Sequence, residues 1–210
     1  MKPDAVHVEE EDAEHRRVTT LRLQAARDDI QMLMLSREIC QRTTRIAEAS
    51  DHVSGSPFFL YWLISQYAQA SCIAIRRLTD KDPSTSSLVA VLNRIRSRPG
   101  AYRYRFLPSD YRAEGGTTVN PQRVGQDVDE LRTVAEKVIQ YVNKHLAHLD
   151  KAPNMAIPDL AELNKVIDLL GERLHRYELL VTGVDLMLLP VLQFDWTTVF
   201  DQPWRTVLTP

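Results

Sequence analysis

Between Gln122 and Asp150 the apolar residues Val124, Val128, Leu131, Ala135, Val138, Val142, Leu146 and Leu149 recur every three or four positions. That spacing collects them on one stripe of an α-helix and fits no strand. About 29 residues at 1.5 Å each make a rod of roughly 43 Å. A stripe of that length is buried most simply against other helices. After a break at APNMAIP (152–158) a second stripe follows, Leu160, Leu163, Ile167, Leu170, Leu174, Tyr177 and Val181, with Gly183 placed to end it. Two amphipathic helices on a short linker predict an antiparallel helical hairpin.

The remaining chain has the same character. Leu21, Leu23, Ile30, Leu33, Met34, Ile39 and Ile46 predict a helix over about 15–49, with a possible break near Asp28. SGSP (54–57) stops and restarts the chain, and Pro57 suits the first turn of the next helix, where its missing N–H costs nothing. That helix, about 57–79, carries Phe58, Phe59, Tyr61, Trp62, Leu63, Ile64 and Tyr67 almost all round its first half, which predicts the central and most buried helix. DKDPS (80–84) ends it; a short helix from Ser86/Ser87 to Ile95 stops at Pro99–Gly100. The fold expected is all-α, an antiparallel bundle of about five to six helices in a single domain over 15–210. Residues 1–14, with Asp4, Glu9, Glu10, Glu11, Asp12 and Glu14 against Lys2, read as an acidic flexible tail or a frayed helix start. Residues 98–121 hold three prolines and three glycines without periodicity, which predicts a long surface loop, functional or mobile. The apolar stretch 186–210 should pack back on the bundle or enter an oligomer interface.

Composition narrows function. With 44% hydrophobic and 26% charged residues the chain can build a core. Lys and Arg (26) nearly balance Asp and Glu (28), so nucleic acid would have to be held by local patches. Cys40 and Cys72 have no paired spacing and read as small buried side chains in a reducing compartment. No basic flank precedes an apolar run at the N-terminus, and Phe58–Ile75 is interrupted by Ser65, Gln66, Gln69 and Ser71; a cytoplasmic protein without a membrane span is the expectation.

The richest cluster is YVNKHLAHLDK (141–151). At 100° per residue Tyr141, Lys144 and His148 share one flank of the stripe while His145 points close to the stripe itself. At a helix C-terminus the macrodipole favours a protonated His148, able to act as a general acid or to hold phosphate. The same spacing also fits a core His145 and a His148 that caps carbonyls. Arg76 and Arg77, in RRLTD, offer either cations or a structural pair with Asp80. Arg94, Arg96, Arg98, Arg103, Arg105 and Arg112 interleave with Tyr102, Tyr104, Phe106 and Tyr111, a pattern suited to phosphate contacts and base stacking on single-stranded RNA, with Arg103 and Arg105 the best two. His145-x-x-His148 with Asp150 and a single Glu172-x-x-His175 fall short of a carboxylate-bridged metal set, and no phosphate-binding glycine loop, dinucleotide fingerprint or nucleophile elbow occurs, so no cofactor is expected.

Asn143-Lys144-His145-Leu146-Ala147-His148-Leu149-Asp150-Lys151 resembles the signature of the HEPN superfamily, in particular its AbiU-type abortive-infection branch. RRLTDKDPSTSSLVAVLN (76–93), NKVIDLLGERLHRYELLVTG (164–183) and FDWTTVFDQPW (194–204) resemble that branch too. The resemblance implies a prokaryotic defence or toxin–antitoxin protein, with a cognate antitoxin or other defence protein as partner. It further implies a homodimer through the face carrying His148 and a metal-independent ribonuclease. His148 would be the acid/base, Asn143 and Lys144 would hold phosphate, and Asp150 would orient the histidine; Arg76, Arg77, Arg103, Arg105 and Tyr141 would contact RNA. One departure matters: the position that should hold the motif's arginine is Val142. A valine cannot stabilise a developing phosphorane dianion as a bidentate guanidinium does. The alternative is a catalytically inactive HEPN-like module that binds RNA or protein.

Overall fold

The computed structural model describes residues 3–49, 57–103, 107–146, 158–185 and 195–201. Within them lie five α-helices: α1 Pro3–Glu48, α2 Pro57–Leu78, α3 Leu88–Ser97, α4 Pro121–Tyr141 and α5 Leu160–Thr182. One π-helical turn, Val142–Leu146, extends α4. No strand forms among the described residues, only isolated bridges Arg103–Thr118 and Arg112–Val119.

The ends are fixed by side chains the sequence places there. Ser87 accepts from the Ala90 amide and Asn120 from those of Gln122 and Arg123. Asp159 and Glu162 close a reciprocal capping box, and Gly183 ends α5 at φ 73°, a conformation that favours glycine. The hairpin is antiparallel: Lys137 meets Glu162 near its closed end, and Asp127 meets Tyr177 near its open end.

α1 is one unbroken rod of 46 residues, without the break weighed near Asp28. Its buried seam is Thr19, Leu23, Ala26, Ile30, Leu33, Cys40, Thr43 and Ala47, whereas Leu21 and Ile39 face outward. Small and polar residues supply five of those eight positions, so a count of large apolar residues misses its register. The acidic stretch read as a tail or frayed start forms the first turns of α1, where Glu11 and Asp12 hold Arg98.

α2 departs most from expectation. Its C-terminal half buries Cys72, Ile75 and Leu78, but Phe58 is 76% exposed, Tyr61 70% and Trp62 49%. The helix is long and apolar enough to cross a membrane, with mean hydropathy 1.2, and only 22% of that window is buried. Composition predicts burial, but among the described residues α2 has neighbours on one side only: α1, α4 and α5 cover its inner face. Both cysteines are buried and free, and burial pushes the Cys72 thiol up to about 11.

The long connection 98–121 is tied down where it is described. Two 3-10 turns, Pro99–Ala101 and Ser109–Tyr111, punctuate it, and Ala101, Tyr102, Leu107, Tyr111 and Val119 are buried. Tyr102 donates to Thr19 Oγ1 at 2.6 Å and so fastens the connection to α1.

Candidate functional site

Two polar constellations stand out, one at each end of α4. The first was not foreseen. Asp127, with no exposed surface, accepts from Tyr111 (2.6 Å), Tyr177 (2.8 Å) and Arg123 (2.6 Å). Arg173 Nε lies 3.1 Å from the same carboxylate without a hydrogen-bonding angle, an ionic rather than hydrogen-bonded contact. Arg173 also pairs with Glu130 and Glu172, and Arg176 donates to the Tyr111 hydroxyl. The guanidinium carbons of Arg123 and Arg176 lie 4.5 and 4.9 Å from the centre of the Tyr111 ring. Burial first, and then the Asp127 carboxylate, push the Tyr111 hydroxyl up to about 12 and raise that of Tyr177. With Asp127 sealed from solvent this cluster cannot meet a substrate; it clamps the 109–111 turn onto the α4–α5 hairpin. The signal was present in the sequence: Asp127 lies three residues after Val124 and four before Leu131, a charge on an apolar stripe.

Glu178 is a second such charge, 2% exposed on the α5 stripe and 3.8 Å from Arg27. Burial raises its pKa, with Arg27 pulling the other way. A carboxyl raised in the fold contributes its stability below the unfolded value and loses it as pH rises through the folded value. Glu178→Gln should therefore melt about 2–4 °C above the natural protein at pH 7.5, and the gap should close near pH 4. Thermal melts at both pH values check this, and a gap that does not change with pH rules the account out.

The second constellation lies where α4 gives way to the π-turn. Val138, Tyr141 and Val142 face the core, at 1%, 7% and 7% exposure, while Asn143 and Lys144 face outward. Tyr141 therefore does not share a flank with Lys144, and buried in the core it offers no free ring face to RNA. The His145 ring lies 5.5 Å from that of Tyr141, and its buried Nε2 has no hydrogen-bond partner. Such one-turn π insertions recur at functional sites.

Across from this turn, Arg76 on α2 donates from Nε to Asn143 Oδ1 at 3.1 Å and pairs with Asp80 at 2.9 Å. The Asp82 amide first, and Arg76 second, hold the Asp80 carboxyl below its usual value. These two contacts engage two of the five N–H groups of the guanidinium. The structure thus brings Arg76 to Asn143, with the exposed Lys144 the next residue along the turn. It separates the others: Arg77 points to α1 and pairs with Asp29 at 2.6 Å. Arg103 lies beside Thr118, before the start of α4, about 30 Å from Asn143 along a 21-residue helix. There it is exposed and lines a cleft of about 760 Å³ with Glu9, Asp12 and Arg16. His148, Asp150 and Arg105 lie outside the described residues, as do Tyr104 and Phe106.

Two of the four aromatic residues expected to stack in the arginine-rich connection, Tyr102 and Tyr111, are withdrawn into the core at 2% and 1% exposure. Several of its arginines are occupied as well: Arg94 donates to Thr19, Arg98 to Asp12 and Glu11, and Arg112 to the Gly116 carbonyl. No group of three or more potential metal ligands forms among the described residues, and Glu172 is taken up by Arg173 and Arg176.

An all-helical bundle with a polar cluster at the end of its long hairpin helix agrees with the class implied by the NKHLAHLDK run. The pattern that defines the HEPN AbiU2 family matches residues 22–202. The chain belongs to the HEPN AbiU2 family. Comparisons with curated proteins and with solved structures give no match.

Proposed function

We propose that this chain is an abortive-infection type of prokaryotic defence protein that acts on RNA at the π-turn end of α4, with Arg76 supplying the cation missing at Val142. The observation that carries this reading is the 3.1 Å hydrogen bond from Arg76 to Asn143, which sets a guanidinium beside the residue that follows Val142. A guanidinium there, with Lys144 the next residue after Asn143, suits a phosphate diester. His148 would serve as acid/base without a metal, oriented by Asp150, as the family resemblance implies. A cognate antitoxin or other defence protein would be its regulator.

The test is cleavage of mixed cellular RNA in EDTA by the natural protein and by its Arg76→Ala and His148→Ala forms. Arg76→Ala should slow cleavage about 100- to 1,000-fold, the cost of deleting one donor to a developing oxyanion, and His148→Ala should abolish it. Cleavage by Arg76→Ala at the natural rate removes Arg76 from the site.

A second reading, an inactive module that binds RNA or protein, is favoured by the buried Val142 and by Asp80, which holds Arg76. Its signature is RNA binding without cleavage, weakened by Arg76→Ala and with a shallower salt dependence.

A further inference from the structure

Acidic residues crowd the first turns of α1: Glu9, Glu10, Glu11, Asp12 and Glu14. The family pattern starts at residue 22, so these turns lie outside it. Glu14 pairs with Arg17 and Glu10 lies beside His7, both along the helix. The other three turn to the connection that follows α3. Glu11 and Asp12 lie 3.0 and 2.5 Å from the Arg98 guanidinium, and Glu9 and Asp12 share a cleft with Arg16 and Arg103. Within residues 94–112 the one carboxylate is Asp110, which Arg123 holds. Among the described residues the charge opposite Arg98 and Arg103 therefore comes from α1. Three carboxylates, of Glu9, Glu11 and Asp12, offset three guanidinium groups, of Arg16, Arg98 and Arg103. Neighbouring contacts fix α1 in this place: Arg16 donates to the Ala101 carbonyl at 3.0 Å, His15 lies 3.1 Å from the Arg94 carbonyl, and Tyr102 donates to Thr19.

We propose that the acidic first turns of α1 are an autoinhibitory cover, which keeps single-stranded nucleic acid off the arginines of the connection. A guanidinium grips a carboxylate and a phosphate with the same fork of N–H groups. Glu11 and Asp12 thus occupy Arg98 as two phosphate oxygens would, and Glu9, exposed at the cleft, repels a phosphate that approaches Arg16 or Arg103. The Glu11 side chain is 56% exposed and that of Arg98 33%. Pairs so open to water are weak and screened by salt. The cover therefore lowers affinity at all times and yields to a strand that brings several phosphates at once, each releasing counter-ions as it binds. Because α1 is one rigid rod tied down next to these residues, the carboxylates stand in place before any strand arrives. The covered arginines sit at the end of α4 opposite the Arg76–Asn143 contact, so the inference does not rest on cleavage at the π-turn.

The test is binding of a labelled oligothymidylate of about 20 nucleotides, a strand no ribonuclease cuts, followed by fluorescence anisotropy over a range of salt around 0.1 M. Glu9→Gln/Glu11→Gln/Asp12→Asn should bind about 10-fold more tightly than the natural protein, with a log–log salt slope steeper by about 0.7, the share of one further phosphate. Glu48→Gln/Asp129→Asn/Asp201→Asn makes the same change of charge at exposed positions elsewhere and should gain less than about 3-fold. Arg98→Ala added to the first variant should remove most of its gain. Circular dichroism checks the fold of each variant. Glu11→Gln alone is the milder form should the triple variant lose its helices, with an expected gain of about 3-fold. Equal gains in the two triple variants would mean that net charge acts and not a cover, and overturn the proposal. So would an unchanged affinity in the first variant, or a gain that Arg98→Ala leaves intact.

Discussion

Asp127→Ala should cost about 4–6 kcal/mol of folding stability, enough to unfold much of the population at 37 °C for a domain of ordinary stability. The size follows from what the substitution strands. Arg173, 4% exposed, would keep its charge with one counter-ion fewer, and the hydroxyls of Tyr111 and Tyr177 would lose their acceptor in the interior. Breaking a buried pair from one side costs about 3–5 kcal/mol, and each stranded hydroxyl adds about 1–3 before relaxation. Asp127→Asn separates the parts: its amide oxygen still accepts from a tyrosine, but the charge facing Arg123 and Arg173 is gone, so the loss should be about half as large. Urea unfolding of the three proteins checks the order. An Asp127→Ala protein within about 1 kcal/mol of the natural one would mean that the clamp contributes little and that the 109–111 turn is held by packing alone.

Val142→Arg should be nearly as damaging, about 3–5 kcal/mol, with Tm lower by roughly 10 °C or more. Val142 is 7% exposed beside Val138 and Tyr141, so a guanidinium there must either be desolvated without a carboxylate or push the π-turn off the bundle. Val142→Ala, which removes only two methyl groups, should cost about 1–3 kcal/mol and provides the scale. Thermal melts of the two variants test this. An arginine tolerated at less than about 1 kcal/mol would show that position 142 opens to solvent, and the case for Arg76 as the substitute cation would fall. The consequence for function is direct: writing the family's arginine back at 142 is not a clean restoration, because the fold has made that position part of its core.

Much of the architecture was legible in the chain. The stripes of α4 and α5 give two helices and their pairing, and Pro57, Ser87, Asn120, Asp159 and Gly183 mark real ends, because caps and breakers act within one turn. The NKHLAHLDK run gave the family. Less of the candidate site could be read. Helical spacing sets Lys144 on a flank of the stripe, and the family resemblance singles out Asn143 and Lys144. That Arg76 and not Arg77 reaches Asn143 depends on the rotation of α2 against α4, which no local pattern encodes. Tyr141 was misplaced because the angle between neighbours on a helix says where the stripe points and not how far the core reaches on either side of it.

What the sequence determined by itself is everything with a short physical range: the helical period, the helix ends, and the charges of Asp127 and Glu178 on apolar stripes. Tertiary structure alone decided which face of α2 the described helices leave uncovered, exposing Phe58, Tyr61 and Trp62; which carboxylate receives two tyrosines and two arginines; and which arginine reaches Asn143. The reason is one of distance: caps and periodicity act within about one helical turn, whereas burial and tertiary hydrogen bonds depend on segments as far apart as Arg76 and Asn143, 67 residues along the chain.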